Sequence, residues 1–223
     1  MNIIQIASPH RSARQNHQIL MIVNHTMQGT LNGTASWLRN STSRVSYHYG
    51  IGRNGEIHQY VQNNMAAWHS GVVRSPSAKL PHPSNINPNL YTIGVAWEGR
   101  AGEPITEAQY QSGLALHRRL LGETVAQTLP IRQRIVGHSQ IHSGKPNCPG
   151  LSFPWERLYK DLETPVRRVK GPRILIENEE IPITMITGRS FAPARQLLEA
   201  LNYAVSWDEE TQTVTASKSN SAH

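Results

Sequence analysis

The chain has 223 residues, 22 Lys+Arg against 15 Asp+Glu and a formal net charge of +7; its length suits one full core plus a small appendage. With 38% hydrophobic and 17% charged residues, composition excludes a disordered chain. No apolar run approaches the ~18 residues of a membrane-spanning helix, and Met1-Asn-Ile-Ile-Gln-Ile-Ala-Ser-Pro-His-Arg11 lacks the basic start, apolar core and cleavage site of a signal peptide, so the expectation is cytoplasmic synthesis and no membrane insertion. Charge is uneven. Residues 1–172 hold 18 Lys+Arg and 8 Asp+Glu, a balance of +10, and residues 173–223 hold 4 and 7, a balance of −3. The basic part attracts polyanions, but no Lys/Arg cluster is interleaved with aromatics, so nucleic acid is not an expected partner.

In chain order, Gln18-Ile-Leu-Met-Ile-Val23 is an apolar run of strand length without helical period, which predicts a buried central strand delivering Asn24-His25-Thr26 at its end. Thr34–Asn40 predicts a short helix capped by Thr34 with Trp37 and Leu38 inward. Val45–Gly52 and Glu56–Val61 predict a hairpin around Asn54-Gly55, a pair that favours a type I′ turn. Period two separates Tyr47, Tyr49 and Ile51 from His48, so either Tyr47 or His48 faces a site. Ala66-Ala-Trp68-His69-Ser-Gly71 precedes a Pro/Asn/Ser-rich loop, Ser75–Asn89, whose length suggests a groove wall. Thr92–Gly99 reads as a second buried strand. Thr106-Glu-Ala-Gln109 has the form of a capping box opening a helix with Tyr110, Leu114, His117 and Leu121 on one stripe, which makes His117 structural. Ile131–Val136 reads as a strand delivering His138, and Phe153–Leu162 as a closing helix. Charged, proline-bearing Glu163–Pro172 reads as a linker. After it, two short strands in Arg173–Thr184, a helix over Pro193–Leu201 and a hairpin from Ala204–Asp208 to Thr213–Ala216 predict a ββαββ unit over 173–218 with a meagre core, followed by a disordered tail at 219–223.

Ile135-Val-Gly-His138-Ser-Gln-Ile-His142-Ser-Gly-Lys145-Pro-Asn-Cys148-Pro-Gly150 concentrates two imidazoles, an ammonium and the only thiol. One cysteine excludes an intrachain disulfide and leaves Cys148 as a small hydrophobe, a metal ligand or a nucleophile. With His25 it forms a His₂Cys set, whose three ligands would leave an open fourth position as in catalytic zinc sites. A helical His138/His142 pair is the competing ligand arrangement, against which Ser143, Gly144 and Pro146 argue.

Five stretches, in order, resemble the zinc-dependent N-acetylmuramoyl-L-alanine amidases of the type-2 class, which includes phage amidases and peptidoglycan recognition proteins. They are Val23-Asn-His25-Thr26, Ser46-Tyr47-His48-Tyr49 with Asn54-Gly55, Ala67-Trp68-His69-Ser-Gly71, Thr92-Ile-Gly-Val95, and Gly137-His138 through Cys148-Pro-Gly150. The resemblance covers about residues 18–162. It implies an α/β fold with a mixed central β-sheet flanked by helices and a catalytic domain over 1–162. It also implies Zn2+ held by His25, His138 and Cys148, Tyr47 near the activated water, and a substrate groove lined by His69, Trp68 and Thr26. The family's catalytic lysine position is Pro146 here, with Lys145 one step earlier as the amine. Its glutamate position is Ala96, with Glu98 two residues on.

The implied reaction is cleavage of the N-acetylmuramic acid to L-alanine amide of bacterial peptidoglycan by zinc-activated water. A phage or prophage endolysin fits best, acting on the cell wall after release and drawn to anionic wall polymers. The C-terminal unit resembles the stalk-like N-terminal domain of copper amine oxidases through Gly188-Arg-Ser-Phe-Ala-Pro-Ala-Arg195 and Val205-Ser-Trp-Asp208, which implies wall attachment or homodimer formation. A non-catalytic peptidoglycan-binding module is the alternative reading, and retention of Cys148 counts against it. A cysteine peptidase is disfavoured by the proline after Cys148.

Overall fold

Every residue of Met21–Thr26 is buried in a strand, as an apolar run covered on both faces requires. The computed structural model describes residues 1–124, 129–164, 173–176, 179–181, 198–199, 203–208 and 213–218, and the chain forms two units, Met1–Thr164 and Pro165–His223. In the first, the strands are β1 (Ile3–Gln5), β2 (Arg11–Ala13), β3 (Met21–Thr26), β4 (Tyr49–Ile51), β5 (Ile57–Gln59), β6 (Met65–Ala67), β7 (Thr92–Trp97) and β8 (Ile135–Gly137). Its helices are α1 (Leu31–Arg39), α2 (Glu107–Glu123), α3 (Ile131–Arg134), α4 (His138–Ile141) and α5 (Trp155–Glu163). The main sheet has the order β1-β5-β4-β7-β3-β8; β4 and β5 pair antiparallel and the other neighbours parallel, while β2 and β6 form a separate ribbon. This is the expected mixed sheet flanked by helices.

Successive strand side chains point to opposite faces, and the two faces here carry different chemistry. Ile22, Ile51, Ile93, Val95, Trp97 and Ile135 pack against Tyr110, Leu114, Leu116 and Leu120 of α2 and against Leu158 and Tyr159 of α5. Met21, Val23 and Val136 belong to a smaller cluster with Tyr91 and Ile141. By the same alternation His25 falls on that second face and Asn24 on the α2 face. There the Asn24 Oδ1 accepts from the Trp97 indole at 2.7 Å and lies 3.0 Å from His117 Nε2, so His117 is a core residue.

Four local expectations are corrected. Helix α1 starts earlier, because the Thr30 hydroxyl accepts from Gly33 N and so caps it; Thr34 then falls inside the buried face with Leu31, Ala35 and Leu38, and Trp37 turns outward, 52% exposed. The β4–β5 hairpin closes through three residues, Arg53, Asn54 and Gly55. Gly55 has φ +87°, its N–H donates to the Gly52 carbonyl, and Asn54 lacks the positive φ of a type I′ turn. Thr106 caps α2, but the Gln109 side chain does not complete the box: it donates to the carbonyls of Ile51 and Glu98, both at 3.0 Å. The strand expected over Ile131–Val136 is a helical turn as far as Arg134, which is buried and donates to the Leu121 carbonyl and the Thr124 hydroxyl, leaving only Ile135–Gly137 in the sheet.

In the second unit, β9 (Arg173–Ile176), β10 (Glu179–Ile181), β11 (Tyr203–Asp208) and β12 (Thr213–Lys218) form a sheet of order β10-β9-β12-β11. β9–β10 and β11–β12 are antiparallel pairs, and β12 joins β9 in parallel. Of the helix expected over Pro193–Leu201, the described Leu198 and Glu199 are helical. The rest of it, residues 165–172 of the expected linker and the tail at 219–223 lie outside the described residues.

Two measurements follow from the packing. A Cβ on Gly113 of α2 would stand 2.0 Å from Cη2 of Trp97, which is 1% exposed and anchored through its indole. Gly113→Ala is therefore expected to lower stability by about 1–3 kcal/mol in urea unfolding, despite alanine's better helix propensity; unchanged stability would refute this packing. Buried His48 accepts from Gly94 N at 2.9 Å on Nδ1 and faces the Met65 carbonyl at 3.0 Å through Nε2, the arrangement of a neutral ring. Burial first, then the Arg14 cation, lowers its pKa to about 3. The unfolded chain binds this proton below about pH 6.5 and the folded chain does not, so stability falls with acidification across that window by up to about 1.4 kcal/mol per pH unit. His48→Asn, which keeps an acceptor for Gly94, should remove one proton's worth of that slope.

Candidate functional site

The second face of the sheet opens into a cleft of about 700 Å³ whose lining includes His25, Tyr47, His138, Lys145 and Cys148. Each candidate arrives on a different element. β3 carries His25 at its C-terminal end, and β8 pairs with β3 in parallel, Asn24 beside Gly137, so that His138 emerges next to it at the start of α4. The two imidazole centroids lie 4.7 Å apart. The loop after α4 then brings Cys148 back. Its N–H donates to the Lys145 carbonyl, its carbonyl accepts from Ser139 N at 2.8 Å, and the Thr26 hydroxyl donates to the carbonyl of Pro149.

Ligand atoms of His25, His138 and Cys148 lie within 4.8 Å of one another, and Cys148 Sγ is 3.6 Å from His25 Nδ1. The three residues form the one metal-ligating group of this kind among the described residues. His25 is 1% exposed, His138 8% and Cys148 half-buried. Burial depresses both imidazole pKa values, for His25 with added repulsion from His138 and His48, and raises that of the thiol. Neutral imidazoles are the form that ligates a cation, and a cation would offset the cost of an ionised thiol.

Of the two aromatic candidates, Tyr47 faces the cleft, with its ring 5.1 Å from His25, whereas His48 is held in the interior. Burial, then the neighbouring thiol, raises the Tyr47 pKa, so its hydroxyl remains a donor. Exposed Lys145 lines the cleft, as does His142, which closes α4. Trp68, His69 and Thr26 also border it. The indole nitrogen of Trp68 reaches Ser12 Oγ at 3.3 Å. Glu98 is not among the lining residues; its carboxylate accepts from Arg53 N at 2.7 Å in the hairpin turn. Ala96, in register with His25, fills the adjacent β7 position with a methyl group.

Three contributors carry no signal of their individual role, although Ser70 and Thr92 fall within stretches that resemble the family. Asn89 Oδ1 accepts from the backbone N–H of both His69 and Ser70, at 3.1 and 2.8 Å. The Ser70 carbonyl lies 3.1 Å from His138 Nε2, and the Thr92 hydroxyl 3.1 Å from His69 Nε2. Asn89 ends a long loop and Thr92 opens a strand, positions whose ordinary explanation is local turn or strand chemistry.

Residues 15–151 match the family described as N-acetylmuramoyl-L-alanine amidase, and residues 173–222 match the copper amine oxidase N-terminal domain. The chain is 35% identical over 122 residues to the 1,6-anhydro-N-acetylmuramyl-L-alanine amidase AmpD of Haemophilus influenzae, covering 54% of this chain and 60% of that one. It thus spans less than two thirds of that relative's length. It is 28% identical over 172 residues to N-acetylmuramoyl-L-alanine amidase A of Achromobacter lyticus, covering 69% of this chain and 88% of that protein. A crystal structure of a selenomethionine AmpD derivative superimposes with a TM-score of 0.56 at 27% identity, over 71% of this chain and 93% of that one. The family match takes in more than half of the chain, which therefore belongs to the N-acetylmuramoyl-L-alanine amidase family.

Proposed function

We propose that this member of the family hydrolyses the amide between N-acetylmuramic acid and the L-alanine of the peptidoglycan stem peptide, using Zn2+ held by His25, His138 and Cys148. The observation that carries the reading is the convergence of two neutral imidazoles and a thiol within 4.8 Å at the head of a cleft large enough for a glycopeptide. The donor set fits the ion. Nitrogen and sulfur ligands suit zinc rather than calcium or magnesium, and three of them leave a fourth position open.

His25, His138 and Cys148 would hold the ion, which when bound would supply Lewis-acid polarisation and a more acidic water. The chain's own residues do the rest. Tyr47, protonated across the neutral range, is placed to orient water through its hydroxyl. The Lys145 ammonium offers a positive charge to the oxygen that becomes negative as the carbonyl is attacked. Trp68 supplies an apolar wall, with His69 and Thr26 completing the groove beside the ligands. The basic balance of residues 1–172 suits an anionic wall polymer, and the C-terminal unit fits wall attachment or self-association. An endolysin acting on the wall after release remains our reading of its setting.

The names of relatives 34–35% identical favour a narrower second reading, a soluble 1,6-anhydro-muropeptide as substrate. One experiment separates the two: the full chain is incubated with purified walls and, in parallel, with a 1,6-anhydro-muropeptide, and new L-alanine amino termini are counted. Chelation should abolish release and added zinc restore it; cleavage indifferent to chelator would end the zinc reading. Cys148→Ser is expected to lose zinc and activity together. Loss of activity with one equivalent of zinc retained would instead point to the thiol as nucleophile.

A further inference from the structure

We infer that the dipeptide His69-Ser70 is a positioning element that fixes the tautomer and ring orientation of both imidazole ligands, so that each turns Nδ1 toward the metal; this rests on the zinc reading above. His25 Nε2 lies 3.1 Å from His69 Nδ1, and His138 Nε2 lies 3.1 Å from the Ser70 carbonyl. A carbonyl only accepts, so His138 carries its proton on Nε2. The other contact depends on the protonation of His69, and the groups around that ring decide it.

Thr92 Oγ1 lies 2.7 Å from the Pro88 carbonyl and 3.1 Å from His69 Nε2. The carbonyl takes the threonine proton, so the hydroxyl oxygen accepts from Nε2–H of His69. A neutral imidazole with its proton on Nε2 has a lone pair on Nδ1. Nδ1 accepts from His25 Nε2–H, and Ser70 Oγ, a second donor 2.9 Å away, suits the same assignment. The chain of donors therefore runs in one direction from His25 through His69 and Thr92 to Pro88. It leaves the unprotonated Nδ1 of His25 facing Cys148 Sγ at 3.6 Å.

The dipeptide is itself held. Asn89 Oδ1 accepts from both of its N–H groups, and the His69 ring lies against Gly94, where a Cβ would stand 2.5 Å from its Cγ. Only glycine at that β7 position lets the ring sit flat over the sheet. Outer partners of this kind typically contribute 10–100-fold in metal affinity by fixing the ligand ring before the ion arrives. His69 thus acts through His25 as well as bordering the groove.

The test uses the full chain and zinc alone, with affinity from chelator competition and fold from circular dichroism. His69→Leu should weaken zinc binding by about 10–100-fold. His69→Asn, which puts an amide oxygen near the Nδ1 position, should recover most of it, and Thr92→Val should give a smaller loss in the same direction. In ¹⁵N-histidine spectra of the zinc-loaded protein, His25 and His138 should both carry Nε2–H. A folded His69→Leu that binds zinc as tightly as wild type, or a proton on Nδ1 of His25, overturns the inference; if His69→Leu fails to fold, unchanged zinc affinity in Thr92→Val does so. Zinc retained by His25→Ala would instead defeat the zinc reading, so the two failures are distinguishable.

Discussion

The parallel pairing of β3 with β7 and β8 is the constraint from which the site follows. It places the C-terminal ends of three strands side by side, and strand alternation then assigns Ile22, Ile93, Val95, Trp97 and Ile135 to the α2 core and His25 to the opposite face. A one-residue slip in β3 would put His25 into the α2 core and Asn24 into the cleft. The apolar packing prevents that slip, because it would also expose Ile22 to the wrong layer. The placement of the candidate ligand His25 therefore follows from the packing of the hydrophobic core.

Beneath the cleft lies a polar layer that a hydrophobic pattern does not anticipate. The Arg14 guanidinium, 7% exposed, donates to the carbonyls of Asn63, Asn89, Leu90 and Thr92 and lies 2.9 Å from His48 Nε2. Burial without a carboxylate lowers its pKa to about 10, so it remains a cation at neutral pH. Four carbonyl dipoles replace the water it has lost. The same residues locate Asn89 and Thr92, which hold His69 and Ser70. A chain of polar contacts thus runs from Arg14 through Asn89 and Thr92 to His69 and Ser70, which lie against the candidate ligands His25 and His138.

Much of this was legible from residue order. The apolar run ending at Val23 announced the central strand, period two around Tyr47–Ile51 separated Tyr47 from His48, and the stretch from His138 to Cys148 stood out for its concentration of candidate ligands. The misreadings have physical causes. Ile131–Val136 has strand-like composition, but Arg134 finds carbonyl and hydroxyl partners only by turning inward through a helical turn. Asn54-Gly55 signals a tight turn without specifying whether two or three residues close it. The Asn89 contact to His69 and Ser70 was not legible at all, since it joins residues 20 apart through an irregular loop.

The charge of the cleft bears on how protons move there. Among the described residues that line it none is Asp or Glu, whereas Arg44, Lys145 and four histidines belong to it. Glu98, the nearest carboxylate in the strand sequence, is committed to the hairpin turn, and the β7 position beside His25 is a methyl group. If the cleft carries out the amide cleavage proposed above, no carboxylate among the described lining residues is placed to act as a base there, and a substrate bearing carboxylates meets no like charge from them. On that reading protic chemistry falls to other groups lining the cleft, the Tyr47 hydroxyl, His142 and the Lys145 amine. Among these Tyr47 is the one whose ring lies against His25, at 5.1 Å, and it is half-buried, which on the same reading sets it beside the proposed metal site.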